Sequence, residues 1–191
     1  MRLSVALALF VCALAQSGFA QDGPTEFSSA PCSSLALGPT EDVVHLRRTY
    51  LLQGAKQTTR YRFFADEDCT RPMFTMVFQG GIELGDPVPG LDGTVAATVR
   101  FDRVLFTLDS PRGQDAAATC ADGQFEVGIQ RDVTEDGCLF MRPRSECGFD
   151  HDIVQIKDGV ATPGFRTPNM CTDDGRPTQL QSAGATFVEQ F

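Results

Sequence analysis

Apolar and polar side chains alternate along many short segments of this chain. Phe74, Met76 and Phe78 fall on one face of such a segment, while Thr75 and Gln79 fall on the other. A period of two residues is typical of a β-strand that buries one face, since an amphipathic helix repeats about every 3.6 residues. The alternation therefore predicts a strand over residues 73–84.

The same pattern predicts further strands along the rest of the chain. They lie at residues 43–52, 58–65, 94–102, 104–108, 124–130, 138–141, 153–157, 160–165 and 185–191. Turn signals separate them, and Asp158-Gly159 is the clearest hairpin turn. Short strands without helices between them predict an all-β protein, either a barrel or a sandwich. An antiparallel β-barrel of roughly eight to ten strands is favoured, because closure removes exposed strand edges.

Residues 1–20 have the features of a signal peptide. Arg2 is followed by an apolar run that ends at Leu14, and small residues come next. The run is too short to span a bilayer. We therefore expect a secreted or periplasmic protein without a membrane span, consisting of a signal peptide over residues 1–20 and a single β-barrel domain over residues 21–191. Residues 21–27 are polar and contain Gly23 and Pro24, which predicts a loose leader.

Six cysteines follow the predicted signal peptide, which indicates a disulfide framework in an exported chain. A metal site would favour closely spaced Cys-x-x-Cys pairs, and the sequence has none. Six cysteines allow fifteen connectivities, and the sequence does not choose among them. Pairing by proximity along the chain favours Cys32–Cys69, Cys120–Cys138 and Cys147–Cys171.

Charge and residue types exclude several classes of function. The formal net charge is −9, so nucleic acid and anionic membrane surfaces are unsuitable partners. The only histidines are His45 and His151, and neither stands in a catalytic motif. The acids that flank His151, Asp150 and Asp152, allow a catalytic pairing, but a solvated turn explains the same residues more simply. We expect no enzymatic activity, no metal and no cofactor.

The predicted inner face is rich in phenylalanine and has two interpretations. An eight-stranded barrel either fills its interior with side chains or holds one small ligand. The residues that share this face therefore form either a plain core or the lining of a pocket for a lipid or another apolar small molecule. They are Phe74, Met76, Phe78, Val99, Phe101, Phe106, Val127 and Ile129.

Several segments in combination match a known family. They are Phe27-Ser-Ser-Ala-Pro-Cys32, Gly38-Pro39, Asp68-Cys69-Thr-Arg-Pro72, Asp92-Gly93-Thr94 and the stretch from Phe125 to Thr134 with Gly137-Cys138. On these segments, residues 27–165 resemble one β-barrel domain of the adenomatosis polyposis coli down-regulated family, the extracellular Wnt antagonists. Phenylalanine stands at Phe27 and Phe125, where that family has tryptophan.

The resemblance implies a β-barrel whose hydrophobic interior accepts a lipid. The leading hypothesis is therefore an exported, non-catalytic barrel that binds a lipid or another apolar ligand. The alternative is an extracellular protein-interaction module with a filled core, whose loops contact a protein partner. The two hypotheses differ in whether Phe74, Met76 and Phe78 fill the barrel or line a cavity.

Overall fold

Ten β-strands make up most of the computed structural model, which describes residues 24–29, 32–36, 43–120, 123–167, 169–181 and 187–190. The strands are β1 Thr25–Ser29, β2 Ser33–Ala36, β3 Val43–Gln53, β4 Lys56–Phe64, β5 Pro72–Pro87, β6 Thr94–Leu108, β7 Gln130–Asp132, β8 Phe149–Lys157, β9 Val160–Pro163 and β10 Phe187–Gln190. In the described ranges the one α-helix, α1, is the single turn Gln114–Ala117. The predicted signal peptide lies outside the described residues.

The strands pair into an antiparallel barrel, as predicted. Their order around the sheet is β1-β10-β9-β8-β6-β5-β4-β3, and β1 also pairs with β3, which closes the ring. The shortest described pairing is that of β9 with β10, which joins two residue pairs. β2 continues along the same edge of β3 as β1, and β7 extends β6 on the side where β8 ends.

The barrel has two different ends. At one end, two-residue turns join β3 to β4 and β8 to β9, and a six-residue loop joins β5 to β6; we call this the turn end. Asp158 and Gly159 both have positive φ there (53° and 72°), which agrees with the predicted hairpin turn. At the other end, the long connection between β6 and β8 holds α1 and packs against the barrel, and we call this the loop end.

A β-bulge explains why residues 94–108 read as two strands in the sequence. β6 is continuous, but its register against β5 shifts between the pairs Gln79↔Arg103 and Gly80↔Phe101. One additional residue in β6, Asp102, reverses the alternation, so that both Phe101 and Val104 face inward. The inward positions are therefore odd-numbered before the bulge and even-numbered after it.

Three disulfides connect the loops to the barrel, with the predicted pairing. The Cα–Cα distances are 5.8 Å for Cys32–Cys69, 4.2 Å for Cys120–Cys138 and 5.0 Å for Cys147–Cys171. The second disulfide is buried in the core at the loop end. The third joins the segment before β8 to the segment after β9, so it holds the C-terminal part of the chain against the barrel.

Three local predictions were wrong. The first is the loose leader over residues 21–27: residues 25–27 belong to strand β1, and the side chain of Phe27 is buried in the barrel interior. In the predicted strand 124–130, only residue 130 belongs to a strand, β7. Residues 138–141 form a tight turn bridged between Cys138 and Met141, because the disulfide to Cys120 fixes this point of the loop.

The bulge generates a prediction about two adjacent glycines. A Cβ at Gly80 would lie 1.7 Å from the backbone oxygen of Arg100, whereas a Cβ at Gly81 meets its nearest atom at 3.5 Å. Gly80→Ala should lower the free energy of unfolding by more than about 2 kcal/mol, because the backbone has to move. Gly81→Ala should change it by less than about 1 kcal/mol. Urea unfolding of both oxidised variants measures the difference, and equal effects would contradict this packing.

Candidate ligand-binding site

The aromatic core fills the loop-end half of the barrel interior. Phe63 stacks on Phe74 with ring centroids 4.4 Å apart, and Phe74 stacks on Phe106 at 5.4 Å. Met76 fits among them with no exposed surface, and Phe78 is 4% exposed. Because these side chains interlock, this half has the close packing of an ordinary protein core.

The predicted inner-face residues fall into three places. Phe74, Met76, Phe78 and Phe106 belong to the aromatic core, and the partly buried Phe101 packs against it. Val99 lies apart from them, in the wall of a cavity at the turn end. Val127 and Ile129 are 51% and 53% exposed, so their assignment to the inner face was wrong.

The exposure of Val127 and Ile129 has a local cause. Residues 123–129 follow an irregular path, which is fixed by a single bridge between Val127 and Leu108 and by Gly128 N–H donating to Leu108 O at 2.8 Å. The inward side chain of this segment is Phe125, whose ring centroid lies 4.8 Å from that of Phe106. An alternating pattern in an irregular segment does not report which side faces the core.

A cavity of about 150 Å³ occupies the turn-end half of the interior. Several inward side chains there, Ala97, Val99 and Ala161, are shorter than those of the aromatic core, which leaves space between the strands. The residues that line the cavity are Phe27, Tyr50, Leu52, Gly54, Gln57, Ile82, Leu84, Ala97, Val99, Asp152, Ile153, Val154, Ile156, Ala161 and Pro163. Gly54 and Leu84 are exposed, which indicates that the cavity opens beside the turn between β3 and β4.

Most of these lining residues were absent from the predicted inner face. Ile82 and Leu84 continue the alternation of Phe74, Met76 and Phe78 across Gly80, so extending the same pattern to the end of β5 would have identified them. Phe27 lies in the predicted leader. Leu52 follows Leu51, and two adjacent apolar residues do not reveal which of them points inward.

A layer of polar side chains separates the cavity from the aromatic core. The hydroxyls of Tyr50 and Tyr61 are 2.8 Å apart and share a hydrogen bond across β3 and β4. Burial raises the pKa of Tyr50 well above its usual value of 10.0. The inward-facing Thr59 is 3% exposed, and its Oγ1 has no hydrogen-bond partner among the described residues.

Asp152 is the carboxyl group in the cavity wall. Its Oδ1 accepts hydrogen bonds from the backbone N–H of Ile153 at 2.7 Å and of Gly164 at 3.0 Å. A Cβ at residue 164 would lie 2.5 Å from this oxygen, so only glycine allows the approach. The pKa of Asp152 is raised to about 6. Burial is the largest cause and the charge of Asp150 adds to it, while the N–H groups of Ile153 and Gly164 and the charge of Arg166 oppose the shift.

The charge of Asp150, two residues before Asp152 on β8, is compensated by an ion pair with Arg166. Arg166 Nη1 lies 2.6 Å from Asp150 Oδ2, and Arg166 Nη2 lies 3.3 Å from Asp150 Oδ1, so the two side chains form a bidentate ion pair. The side chain of Arg166 is 56% exposed, whereas that of Asp150 is 15% exposed. The pair therefore lies where the interior meets solvent, and screening limits its contribution to stability.

His151 has a structural environment on the outside of β8. Its Nδ1 lies 3.2 Å from Nη2 of Arg176 and 3.5 Å from the carboxylate of Asp173. Arg176 also donates to the backbone oxygens of Ala97 at 2.8 Å and Asp152 at 2.5 Å, so it connects the C-terminal segment to β6 and β8. His151 faces away from the cavity.

Neither a membrane-spanning helix nor a metal site is found among the described residues. None of the helices there is long and apolar enough to cross a membrane. Across the same ranges, no three His, Cys, Asp or Glu side chains come together in a geometry that suits a metal ion.

In comparisons with known proteins, no family model matches the chain, and no curated protein matches it significantly.

Asp152 generates a prediction about stability and pH. Its pKa is higher in the folded chain (about 6) than its ordinary value of 3.8, so ionisation of Asp152 opposes folding. This cost is absent below about pH 4, grows as the pH rises through 6, and reaches on the order of 3 kcal/mol. Asp152→Asn keeps an acceptor for both N–H groups and removes the charge. The variant should be more stable than the native chain at pH 8 and equally stable at pH 4.

Urea unfolding at the two pH values measures this effect. Asp150→Asn is the matched control on the same strand, and it should not gain stability at pH 8 because it loses the ion pair with Arg166. A stability change for Asp152→Asn that is the same at both pH values would show that Asp152 is not a buried, ionisable carboxyl group.

The hydroxyl of Thr59 generates a second prediction. A buried hydroxyl without a partner loses its hydration and gains nothing in return. Thr59→Val keeps the branched shape and should raise the free energy of unfolding by about 1 kcal/mol. The outward-facing, partly exposed Thr58 is the control. Thr58→Val should change the free energy of unfolding by less than about 0.5 kcal/mol. Chemical denaturation of both variants measures these changes. A loss of stability in Thr59→Val would contradict the packing around Thr59.

Proposed function

We propose that this protein is an exported, non-catalytic β-barrel that binds a small apolar ligand, or the end of an acyl chain, in the turn-end cavity. The observation that carries the proposal is the cavity itself, which lies inside a closed barrel and is bordered mainly by aliphatic and aromatic side chains. Ligand sites of this kind are concave and mostly apolar, with a few polar groups that fix orientation. Gln57, Tyr50 and Asp152 are the polar groups here.

The volume limits what the cavity holds. A cavity of about 150 Å³ corresponds to about five water molecules at their volume in the liquid, and an apolar cavity of that size takes a benzene-sized ligand. A complete long-chain lipid does not fit. The proposed ligand is therefore compact, or it inserts only the last few carbons of a chain and leaves the remainder at the mouth beside Gly54.

The disulfides support the proposed location. Three disulfides in one domain are typical of proteins that fold in an oxidising compartment, such as the periplasm or the extracellular space. The apolar run in the first twenty residues of the sequence supports export. The resemblance to the family of extracellular Wnt antagonists supports the same location and a ligand-accepting barrel.

A second candidate function is a protein-interaction module. The observation that favours it is the exposure of Val127, Ile129 and Phe165, which are 51%, 53% and 62% exposed on loops. Exposed apolar loop residues are frequent contact points for other proteins. In this case the turn-end cavity is a packing defect, and loop substitutions, unlike cavity substitutions, abolish function.

A series of linear alcohols tests the proposed cavity. Affinity should rise from 1-butanol to about 1-hexanol, because each buried methylene contributes about 0.8 kcal/mol, and then level off when the cavity is full. Val99→Phe fills the cavity and should weaken binding of 1-hexanol about tenfold or more. Val127→Phe introduces the same change on the surface and should alter the affinity by less than about twofold.

Isothermal titration calorimetry of the oxidised protein measures these affinities. Absence of alcohol binding, or equal binding by Val99→Phe and the native chain, would contradict the proposed function and leave the protein-interaction module as the better hypothesis.

A further inference from the structure

We infer that the turn-end cavity selects apolar ligands that carry an ammonium group, with the carboxylate of Asp152 as the group that recognises it. This inference deepens the proposed function and rests on it. It assigns a ligand class, small alkyl or aryl amines, to a cavity whose lining is otherwise apolar.

The first argument comes from the two oxygens of Asp152. Oδ1 is occupied by the N–H groups of Ile153 and Gly164 at 2.7 Å and 3.0 Å. No hydrogen bond from another residue within the described ranges reaches Oδ2. Asp152 lines the cavity, and Oδ2 is the oxygen that we assign to a bound ligand, because the two backbone N–H groups occupy Oδ1. Two backbone donors and the lack of space for a Cβ at Gly164 hold the carboxyl group in this position.

The second argument comes from the sign of the charges around the cavity. None of the described residues that line the cavity is Arg, Lys or His. Arg166 forms an ion pair with Asp150, and its charge also lowers the pKa of Asp152. Arg176 binds backbone oxygens and Asp173 on the outside of β8, next to His151. The inward-facing Arg48 lies opposite Tyr61, toward the loop end. Among the described residues of the cavity wall, Asp152 carries the one carboxylate, and an anionic ligand would face it at short range.

The third argument concerns two aromatic rings in the wall of the same cavity. Phe27 and Tyr50 lie opposite each other on β1 and β3 and line the same cavity. Aromatic faces attract cations, and more strongly where water is excluded. A carboxylate together with two aromatic rings suits an ammonium group, because the carboxylate accepts its N–H and the rings stabilise its charge. The cost of burying Asp152, which raises its pKa, is reduced when a cation binds beside it.

Three six-carbon probes with different charges test the inference. They are 1-hexylamine, 1-hexanol and hexanoate, with binding to the oxidised protein measured by calorimetry at pH 8. We expect hexylamine to bind about tenfold to a hundredfold more tightly than hexanol, because a hydrogen bond between charged groups replaces one between neutral groups. Hexanoate should bind more weakly than hexanol. The advantage of the amine should decrease at pH 5, because Asp152 is then protonated.

Two variants assign the effect to one residue. Asp152→Asn should remove the advantage of hexylamine over hexanol and should change the affinity for hexanol by less than about threefold. Asp150→Asn, two residues away on the same strand, should preserve the advantage, since that carboxylate is paired with Arg166. If Asp152→Asn fails to fold, the pH dependence of the native chain gives the same information.

The outcomes separate this inference from the proposed function. If hexanol binds and hexylamine binds no more tightly at pH 8, the cavity binds apolar ligands but Asp152 does not select amines, and the inference is overturned. An amine advantage that survives in Asp152→Asn overturns it as well. If none of the three probes binds, the proposed function fails together with the inference.

Discussion

Phe63, Phe74 and Phe106 stack across three neighbouring strands, and the position of this stack determines how the rest of the barrel interior is used. An eight-stranded barrel is just wide enough to be filled by side chains or to hold one small ligand. Large rings fill the loop-end half. Toward the turn end the inward positions carry smaller residues, such as Ala97, Val99 and Ala161, and space remains between them. The size of the inward side chains along each strand therefore divides one barrel into a solid core and a cavity.

The polar groups lie where these two halves meet. The hydroxyls of Tyr50 and Tyr61 satisfy each other. The unpartnered hydroxyl of Thr59 and the carboxyl group in the cavity wall oppose stability, since each loses hydration inside the barrel. The aromatic core and three disulfides offset that cost. Residues that weaken a fold frequently lie at functional sites, because a site needs groups that are not fully satisfied by the protein itself. Asp152 fits this description better than any other ionisable group in the described part of the interior.

Local patterns predicted the barrel, and pairing the cysteines by proximity along the chain, one of fifteen possibilities, gave the observed disulfides. Alternation identified most strands of the ring, and cysteines close together in the chain were also close in space. The cavity was largely missed, because its lining depends on which strands become neighbours: Phe27 meets Tyr50 only through closure of β1 onto β3. The interpretation of His151 as part of a solvated turn was wrong, because His151 lies within strand β8 with a mostly buried side chain. Alternation along β8 places Asp152 inward and His151 outward, and only the strand pairing shows which face is the interior.

The central claim is that an apolar cavity inside the barrel accepts a ligand. A crystal structure of the oxidised protein under xenon pressure tests it most directly, because xenon binds in apolar cavities without requiring a specific hydrogen bond. We expect one xenon peak inside the barrel at the turn end, in contact with Phe27, Leu52 and Val99, and none within the aromatic core around Met76. A turn-end interior closed by its own side chains, with no xenon bound there, would contradict the claim.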